Sequence, residues 1–122
     1  MRDAIQLYID GSSYSKADVI TQAFHPQATL YLTARDGFDR FSPAEYADFF
    51  AHRKAGEFNG RVGKILSIEV VNDIAMAKAS IEIAERDLFY IDLFLLKKDE
   101  GKWQIVSKTA TRVIKEHNPK QH

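Results

Sequence analysis

The segment 89–112 constrains the fold more than any other part of the chain, because it reads as two long β-strands joined by a tight turn. Its first half is apolar at nearly every position, and Gly101 lies in the turn, where a positive φ is readily adopted. A strand that is apolar on both faces is typical of the covered interior of a sheet. We therefore expect the first strand of this hairpin to be a central strand.

Asp92 interrupts this apolar strand. A buried carboxylate needs a partner, because an unpaired buried charge is costly or shifts its pKa. A three-residue loop at 99–101 would place Lys98 opposite Lys102, and the same antiparallel ladder would place Asp92 opposite Lys108. A slip of one residue would send Asp92 and Lys108 to opposite faces, so this pairing is a hypothesis about register.

The composition excludes several functional classes. Lys plus Arg and Asp plus Glu each number 17, so the chain lacks the basic excess typical of nucleic-acid-binding proteins. It has no cysteine, which excludes disulfides, thiolate nucleophiles and zinc–thiolate sites. The four histidines show no metal-ligand spacing such as i, i+4. We therefore expect no metal and no cofactor.

The length of 122 residues indicates one domain over residues 1–122, with a polar, frayed tail from about residue 115. No apolar run reaches the roughly 18 residues that would span a membrane. The N-terminus carries an acid early and lacks the apolar core of a secretion signal. We expect a cytoplasmic protein with no membrane partner.

Three amphipathic helices are predicted in the first half of the chain. The first covers 3–10 and is capped by Gly11. The second starts at Ser15 with a weak capping box and cannot continue through Pro26. The third covers 42–54 and starts with a cap residue, a proline and an acid in its first turn.

The other periodic segments predict β-strands. The residues at 28–33 alternate in polarity, and 38–41 is a short second strand after a turn at Asp36. Two longer strands at 62–71 and 74–85 precede the terminal hairpin. One face of the second of these consists of small and aliphatic residues, which allow close packing or leave room for a ligand: Ala75, Ala77, Ala79, Ile81 and Ile83.

Helices in the first half and long antiparallel strands in the second half are typical of an α+β domain. The stretches 8–11, 23–28, 92–97 and 101–108 resemble the nuclear transport factor 2-like superfamily. That superfamily includes ketosteroid isomerases, scytalone dehydratase and polyketide cyclases. More narrowly, these stretches resemble the branch labelled putative lumazine-binding proteins.

The resemblance implies a cone-shaped α+β fold, in which three helices pack in a strongly bent antiparallel or mixed β-sheet around an apolar pocket. It also implies a homodimer. Enzymes of the superfamily place an acid/base pair at the pocket floor. Isomerase-like members use an aspartate base with a tyrosine and an aspartic acid, and dehydratase-like members use a histidine–aspartate pair. Tyr14, Asp36 and Asp39 match neither set.

Asp92 is the candidate catalytic residue. Its neighbours on the same strand face, Tyr90 and Phe94, would give it apolar surroundings, in which a carboxyl group can act as a base or a donor. The alternative is a structural ion pair or hydrogen bond that holds the strands or a dimer together. Lys108 is either its partner or an exposed residue of the sheet.

The remaining candidates belong to a ligand pocket. Arg53 lies on the apolar stripe of the third helix and could fork a ligand carboxylate or pair with Asp92. The favoured interpretation is a snorkelling side chain with its charged head in water. His25 is interpreted as a residue that hydrogen-bonds backbone at a helix end. Aromatic side chains would complete the pocket, together with Lys108: Tyr14, Tyr31, Tyr46, Phe50 and Tyr90.

These residues support three hypotheses. The first is a dimeric domain that binds a small hydrophobic or aromatic molecule, which can carry a carboxylate. The second is an enzyme of the isomerase, dehydratase or cyclase type that uses Asp92 as acid/base. The third is an assembly domain without a ligand. The homodimer would form through an apolar hairpin face, for which we predict four residues: Leu93, Leu95, Trp103 and Ile105.

Overall fold

A computed structural model of the protein describes residues 2–34, 37–51 and 54–114. These ranges contain three α-helices, one short 3₁₀ helix and six β-strands. In chain order the elements are α1 Arg2–Ser13, α2 Ala17–Ala23, β1 Phe24–Ala34, β2 Gly37–Phe41, α3 Pro43–Asp48, β3 Arg61–Val71, β4 Ile74–Ile83, the 3₁₀ helix Ala84–Arg86, β5 Leu88–Asp99 and β6 Lys102–Arg112.

The six strands form one mixed sheet in the order β2-β1-β6-β5-β4-β3. All neighbours are antiparallel except β1 and β6, which run parallel. The helices cover one face of this sheet, which we call the inner face, and the core lies between them. The predicted α+β class is confirmed, and β5 is a central strand as predicted. It is not covered on both faces as its apolar pattern predicted, because Leu93 and Leu95 are about half exposed.

Three predictions concern residues outside the described ranges: the turn at Asp36, the side chain of Arg53 and the tail from residue 115. None of the helices within those ranges is long and apolar enough to cross a membrane.

The first two helices differ from the prediction at Gly11. This glycine does not end α1 but lies inside it, where a Cβ atom would come within 2.9 Å of the backbone nitrogen of Ile20. The glycine is therefore needed for the close approach of α1 and α2. The link between the helices turns at Ser15, which has a φ of 53°, and α2 has Lys16 as its cap without a side-chain hydrogen bond. The predicted capping box at Ser15 is wrong.

The start of α3 is confirmed in detail. The hydroxyl of Ser42 accepts a hydrogen bond from the backbone of Glu45 at 3.1 Å, and the Glu45 carboxylate accepts one from the backbone of Ser42 at 2.8 Å. The helix ends at Asp48, earlier than predicted. At that end the N–H of Phe50 donates to the carbonyl of Ala47, three residues back, so the chain leaves the helix through a turn with 3₁₀-type hydrogen bonding.

The inner face of β4 is the predicted one. Its alternate positions are buried while the residues between them are exposed or half-buried. The buried set is Ala75, Ala77, Ala79, Ile81 and Ile83. On the neighbouring strand β3, Gly63 lets α1 approach the sheet closely, because a Cβ atom there would lie 2.6 Å from Ile9.

The predicted register of the terminal hairpin is wrong. Asp99 pairs with Lys102, so the loop has two residues rather than three. Both loop residues have positive φ, 50° at Glu100 and 79° at Gly101, as a type I′ turn requires. The sequence shows a glycine for the second of these positions but gives no sign that a glutamate takes the first.

A register shift in β6 moves the pairing by one further residue, because Leu96 pairs with Ile105 whereas Leu95 pairs with Ser107. Asp92 consequently lies opposite Ala110, and Lys108 lies opposite Phe94. Since 92 and 94 point to the same side of β5, the two charged residues still share the inner face as diagonal neighbours.

The shorter loop also corrects the predicted dimer face. Ile105 and Trp103 lie on the inner face, where Ile105 is fully buried and Trp103 packs partly buried against the core. Leu93 and Leu95 lie on the other side of the sheet, which we call the outer face, and are 49% and 52% exposed. Between the loop and the register shift, a change of one residue in loop length reverses which side chains of β6 share a face with those of β5.

Candidate functional site

Two oppositely charged residues are buried on the inner face of the central strands. Asp92 on β5 and Lys108 on β6 are each 2% exposed, and the Lys108 ammonium lies 3.4 Å from Asp92 Oδ2. The contact expected from an acid within an apolar strand is therefore present, although it is diagonal rather than directly across the ladder. Asp92 Oδ1 has no hydrogen bond to any residue in the described ranges.

Two tyrosines from different helices cover this ion pair. Tyr8 on α1 and Tyr46 on α3 place their hydroxyl oxygens 2.8 Å apart, and the Tyr8 hydroxyl donates to Asp92 Oδ2 at 3.4 Å. A hydroxyl has one proton, so Tyr46 is the donor in the bond between the two tyrosines. The Lys108 ammonium lies 5.2 Å from the centre of each ring, within the range of cation–π attraction.

The Tyr8 hydroxyl is held in its neutral form. Burial raises its pKa well above the ordinary value, and the neighbouring Tyr46 and Asp92 raise it further, while Arg61 lowers it in part. Tyr8 therefore serves as a hydrogen-bond donor and not as a base. The order Tyr46 to Tyr8 to Asp92 forms a short chain of donors that ends on the carboxylate.

Arg61, the first residue of β3, brings a second cation to the same place. Its guanidinium lies 5.3 Å from the centre of the Phe50 ring, and its Nη2 donates to the Tyr8 hydroxyl at 3.4 Å. Burial tends to lower the pKa of Arg61, but Tyr46, Tyr8 and Asp92 outweigh that effect and raise it. Arg61 is therefore permanently charged.

The link between α1 and α2 sets the position of Arg61. Asn59 donates to the carbonyl of Ser12 at 2.7 Å and to the hydroxyl of Ser15 at 2.9 Å. Its side-chain oxygen accepts from the backbone N–H of Arg61 at 3.1 Å. The start of β3 is thus tied to the helices before the strand enters the sheet, which directs Arg61 to the inner face.

These groups line a cavity of about 300 Å³ between the helices and the inner face. Its polar residues are Tyr8, Thr33, Tyr46, Arg61, Arg86, Tyr90, Asp92 and Lys108, and its apolar residues are Leu32, Ile81, Ile83, Leu88 and Ala110. The volume is at the lower end of the range of small-molecule sites, about 300–1,000 Å³. A larger groove of about 510 Å³ lies on the outer face, away from the ion pair and Arg61.

The structure brings together half of the predicted site. Asp92, Tyr46, Tyr90 and Lys108 line the cavity. Phe50 is buried beneath the Arg61 guanidinium and supports the cavity without lining it.

Two of the predicted pocket tyrosines are elsewhere. Tyr14 is 40% exposed and packs against Phe58 at 5.7 Å between ring centres. Tyr31 stacks on Phe38 at 6.0 Å between ring centres and does not line the cavity.

His25 also lies apart from the cavity. Its Nδ1 accepts a hydrogen bond from the backbone N–H of Gln27 at 3.0 Å, so the interpretation as a backbone-bonding histidine at a helix end is confirmed. Within the described ranges, no group of three or more His, Asp or Glu residues is arranged to hold a metal ion.

Sequence reasoning missed Tyr8, Arg61 and Arg86. Tyr8 falls within the first predicted helix, and the signal in its favour is that a buried tyrosine hydroxyl needs a partner. Arg61 precedes Gly63 and Ile65 on the inward-facing positions of β3, so the alternation of that strand could have placed it inside. Arg86, in the 3₁₀ helix, has no comparable signal.

Comparison with known proteins places this arrangement in a family. A family model described as "Putative lumazine-binding" matches residues 1–110. The chain belongs to this family. The match covers all the elements that form the cavity, from α1 to most of β6. No curated protein matches the chain.

Several solved structures resemble this member of the putative lumazine-binding family. A nuclear transport factor 2-like protein of unknown function from Shewanella baltica OS155 is 22% identical with a TM-score of 0.79, over 92% of this chain and 90% of that one. One from Silicibacter pomeroyi DSS-3 is 19% identical with a TM-score of 0.79, over 92% of each chain. One from Methylobacillus flagellatus KT is 24% identical with a TM-score of 0.77, over 92% and 88%. At these identities the likeness shows the fold alone, and the predicted cone-shaped fold is confirmed.

Proposed function

We propose that the cavity binds a small organic molecule with an apolar or aromatic body. The observation that supports this most is the convergence of Arg61, Asp92 and Lys108 around one cavity whose remaining walls are largely aliphatic and aromatic. Small-molecule sites are typically apolar with a few placed polar groups. Buried charges are costly compared with apolar residues of similar volume, so binding explains their presence better than stability does.

The experiment is a ligand panel measured by thermal unfolding of the wild-type protein. The family description names lumazine, so lumazine belongs in the panel together with small aromatic and aliphatic acids, amides and ketones. A ligand that binds only the folded state raises the melting temperature. At a ligand concentration a hundred times the dissociation constant, the free energy of unfolding increases by about 2.7 kcal/mol. A wild-type melting temperature that no member raises at millimolar concentration contradicts the proposal.

Asp92→Asn tests whether the cavity is the site. The change keeps the shape of the side chain and removes its charge, so we expect a loss of about 1–3 kcal/mol as Lys108 loses its counter-charge, together with a lost ligand response. Asp48→Asn, at the exposed end of α3, is the matched control and should keep both properties. An unchanged ligand response in Asp92→Asn with a large loss of stability would make Asp92 purely structural.

A second candidate function is catalysis of the isomerase, dehydratase or cyclase type. The observation that favours it is Asp92 Oδ1, which accepts no hydrogen bond from the described ranges and belongs to a residue that lines the cavity. Such an oxygen can accept a proton from a bound carbonyl compound. Loss of the α-proton signal of a bound ketone in D₂O, followed by NMR and abolished in Asp92→Asn, would support catalysis. Equal exchange with and without protein for every bound ketone would exclude it for this class.

We also propose that the protein is a homodimer through the outer face. Its residues Met76, Leu93 and Leu95 are each about half exposed and border the groove of about 510 Å³. The same groove is lined by Glu69 and Lys78, so a two-fold arrangement can set opposite charges against each other. An apolar sheet face that the helices do not cover is stabilised by a second copy. A dimer combined with a cavity that no ligand enters would favour an assembly domain instead.

A further inference from the structure

The charges that line the cavity do not balance. Among the described residues, three cations line it, Arg61, Arg86 and Lys108, against one carboxylate, that of Asp92. That carboxylate is engaged by Lys108 at 3.4 Å. No carboxylate of the described residues lies within 4.0 Å of Arg61. Among the described residues that line the cavity, cations therefore outnumber carboxylates, and Asp92 acts on Arg61 only from beyond ion-pair distance.

The guanidinium of Arg61 also has unused hydrogen-bond donors. Its Nε is fully buried and has no acceptor among the described residues. Its Nη2 makes one long hydrogen bond, 3.4 Å to the Tyr8 hydroxyl. Its Nη1 makes none to the described part of the chain and, unlike Nε, is not fully buried. A guanidinium has five N–H donors in a planar fork, and a buried cation is normally paired.

We infer that the ligand of this cavity is a carboxylic acid in its anionic form, whose carboxylate is bound by the guanidinium of Arg61 while its apolar body lies against Leu32, Ile81 and Leu88. This inference rests on the proposed function. A planar carboxylate fits the planar guanidinium with two parallel hydrogen bonds. It would also supply the negative charge that the cavity lacks.

The shape and lining of the cavity set the size and polarity of the acid. About 300 Å³ accommodates a molecule of one or two rings or a short aliphatic chain. Arg86 borders the cavity from an exposed position of the 3₁₀ helix. Its positive charge attracts an anionic ligand toward the cavity before the ligand reaches Arg61. The Asp92 carboxylate already occupies the position next to Lys108, where Lys108 and Tyr8 hold it. The carboxylate of the ligand therefore binds at Arg61 and not at Lys108.

The experiment compares matched acids and amides by calorimetry at pH 7. The pairs are 2-naphthoate with 2-naphthamide, cinnamate with cinnamamide, and octanoate with octanamide, and inorganic phosphate is included as a non-carboxylate anion. We expect at least one acid to bind the wild-type protein about tenfold or more tightly than its amide. Phosphate alone should bind weakly or not at all, because it lacks the apolar body.

Two variants assign the preference to Arg61. Arg61→Gln should weaken binding of the preferred acid about tenfold or more and leave its amide within about twofold. Arg61→Lys should retain part of the affinity, because an ammonium keeps the charge but not the fork. Arg40→Gln makes the same chemical change at an exposed position on β2 and should leave both affinities within about twofold.

The outcomes separate this inference from the proposed function. If acids and amides bind the wild-type protein equally, the cavity is a ligand site but the carboxylate inference is wrong. If Arg61→Gln and Arg40→Gln weaken acid binding equally, the effect is one of overall charge and the role of Arg61 is refuted. If no acid and no amide binds, the carboxylate inference is wrong. The proposed function fails as well only if lumazine and the ketones also leave the melting temperature unchanged. Should Arg61→Gln not fold, the wild-type comparison of acid with amide and the Arg61→Lys variant decide.

Discussion

Replacing Lys108 with methionine tests the buried ion pair most sharply. Methionine has a volume close to that of the lysine stem, so the packing against Tyr8 and Tyr46 is largely kept and the lost property is the charge. Asp92 is 2% exposed and would be left with one weak partner, the Tyr8 hydroxyl at 3.4 Å. Removing one partner of a buried ion pair costs about 3–5 kcal/mol.

The expected loss is large enough to measure easily. In a domain of this length each kcal/mol lowers the melting temperature by roughly 4 °C, so Lys108→Met should melt about 12–20 °C below the wild type. Urea unfolding followed by circular dichroism gives the same quantity independently. Lys102→Met, at the exposed start of the same strand, is the matched control and should remain within about 0.5 kcal/mol of the wild type.

A double variant separates the cost of an unpaired charge from the value of the pair. Asp92→Leu combined with Lys108→Met removes both charges, and such replacements are commonly neutral or stabilising. We expect the double variant to recover most of the stability that Lys108→Met loses. A Lys108→Met protein within about 1 kcal/mol of the wild type, or a double variant as unstable as the single one, would refute the reasoning that the pair is buried and mutually dependent.

Three further predictions follow from the fold. Trp103→Ala should lower the free energy of unfolding in urea melts by about 2–3 kcal/mol, because the indole is only partly buried, whereas a fully buried aromatic residue costs roughly 3–5 kcal/mol. No measurable loss would mean that the indole is exposed. Gly11→Ala should cost about 1–3 kcal/mol because its Cβ would meet the Ile20 backbone at 2.9 Å, and a thermal melt equal to the wild type would disprove that contact. Light scattering should show a wild-type dimer at micromolar concentration, and the double variant Leu93→Lys, Leu95→Lys should be a monomer. A wild-type monomer at high micromolar concentration rules out the homodimer.

The parts of the fold that the sequence predicts are those encoded locally. The capping box of Ser42 and Glu45 is a four-residue signal, and the alternation along β4 is a property of one strand. The hairpin register failed because it depends on whether Glu100 adopts a positive φ and on an extra residue in β6 near residue 106. Neither feature has a local signal strong enough to distinguish it from the three-residue loop.

The site shows the same division. Asp92 was found because a charge within an apolar strand is anomalous by itself. Lys108 was reached through a hairpin register that is wrong, and it still shares the face of Asp92 because the shorter loop and the register shift in β6 offset each other. Tyr8 and Arg61 do not stand out within their own elements, because an aromatic residue is common on the buried side of a helix and a cation is common at the first position of a strand. Their role arises from the packing of α1, α3 and β3 around one cavity, which depends on the whole topology.

The most direct test of the central claim is a crystal structure of the protein with the tightest member of the ligand panel. We expect electron density for the ligand between Arg61 and Tyr90, in the cavity that Asp92 and Lys108 line. Density in the groove of the outer face, beside Met76 and Leu95, would contradict the account. So would a cavity closed by side chains while the ligand is bound elsewhere.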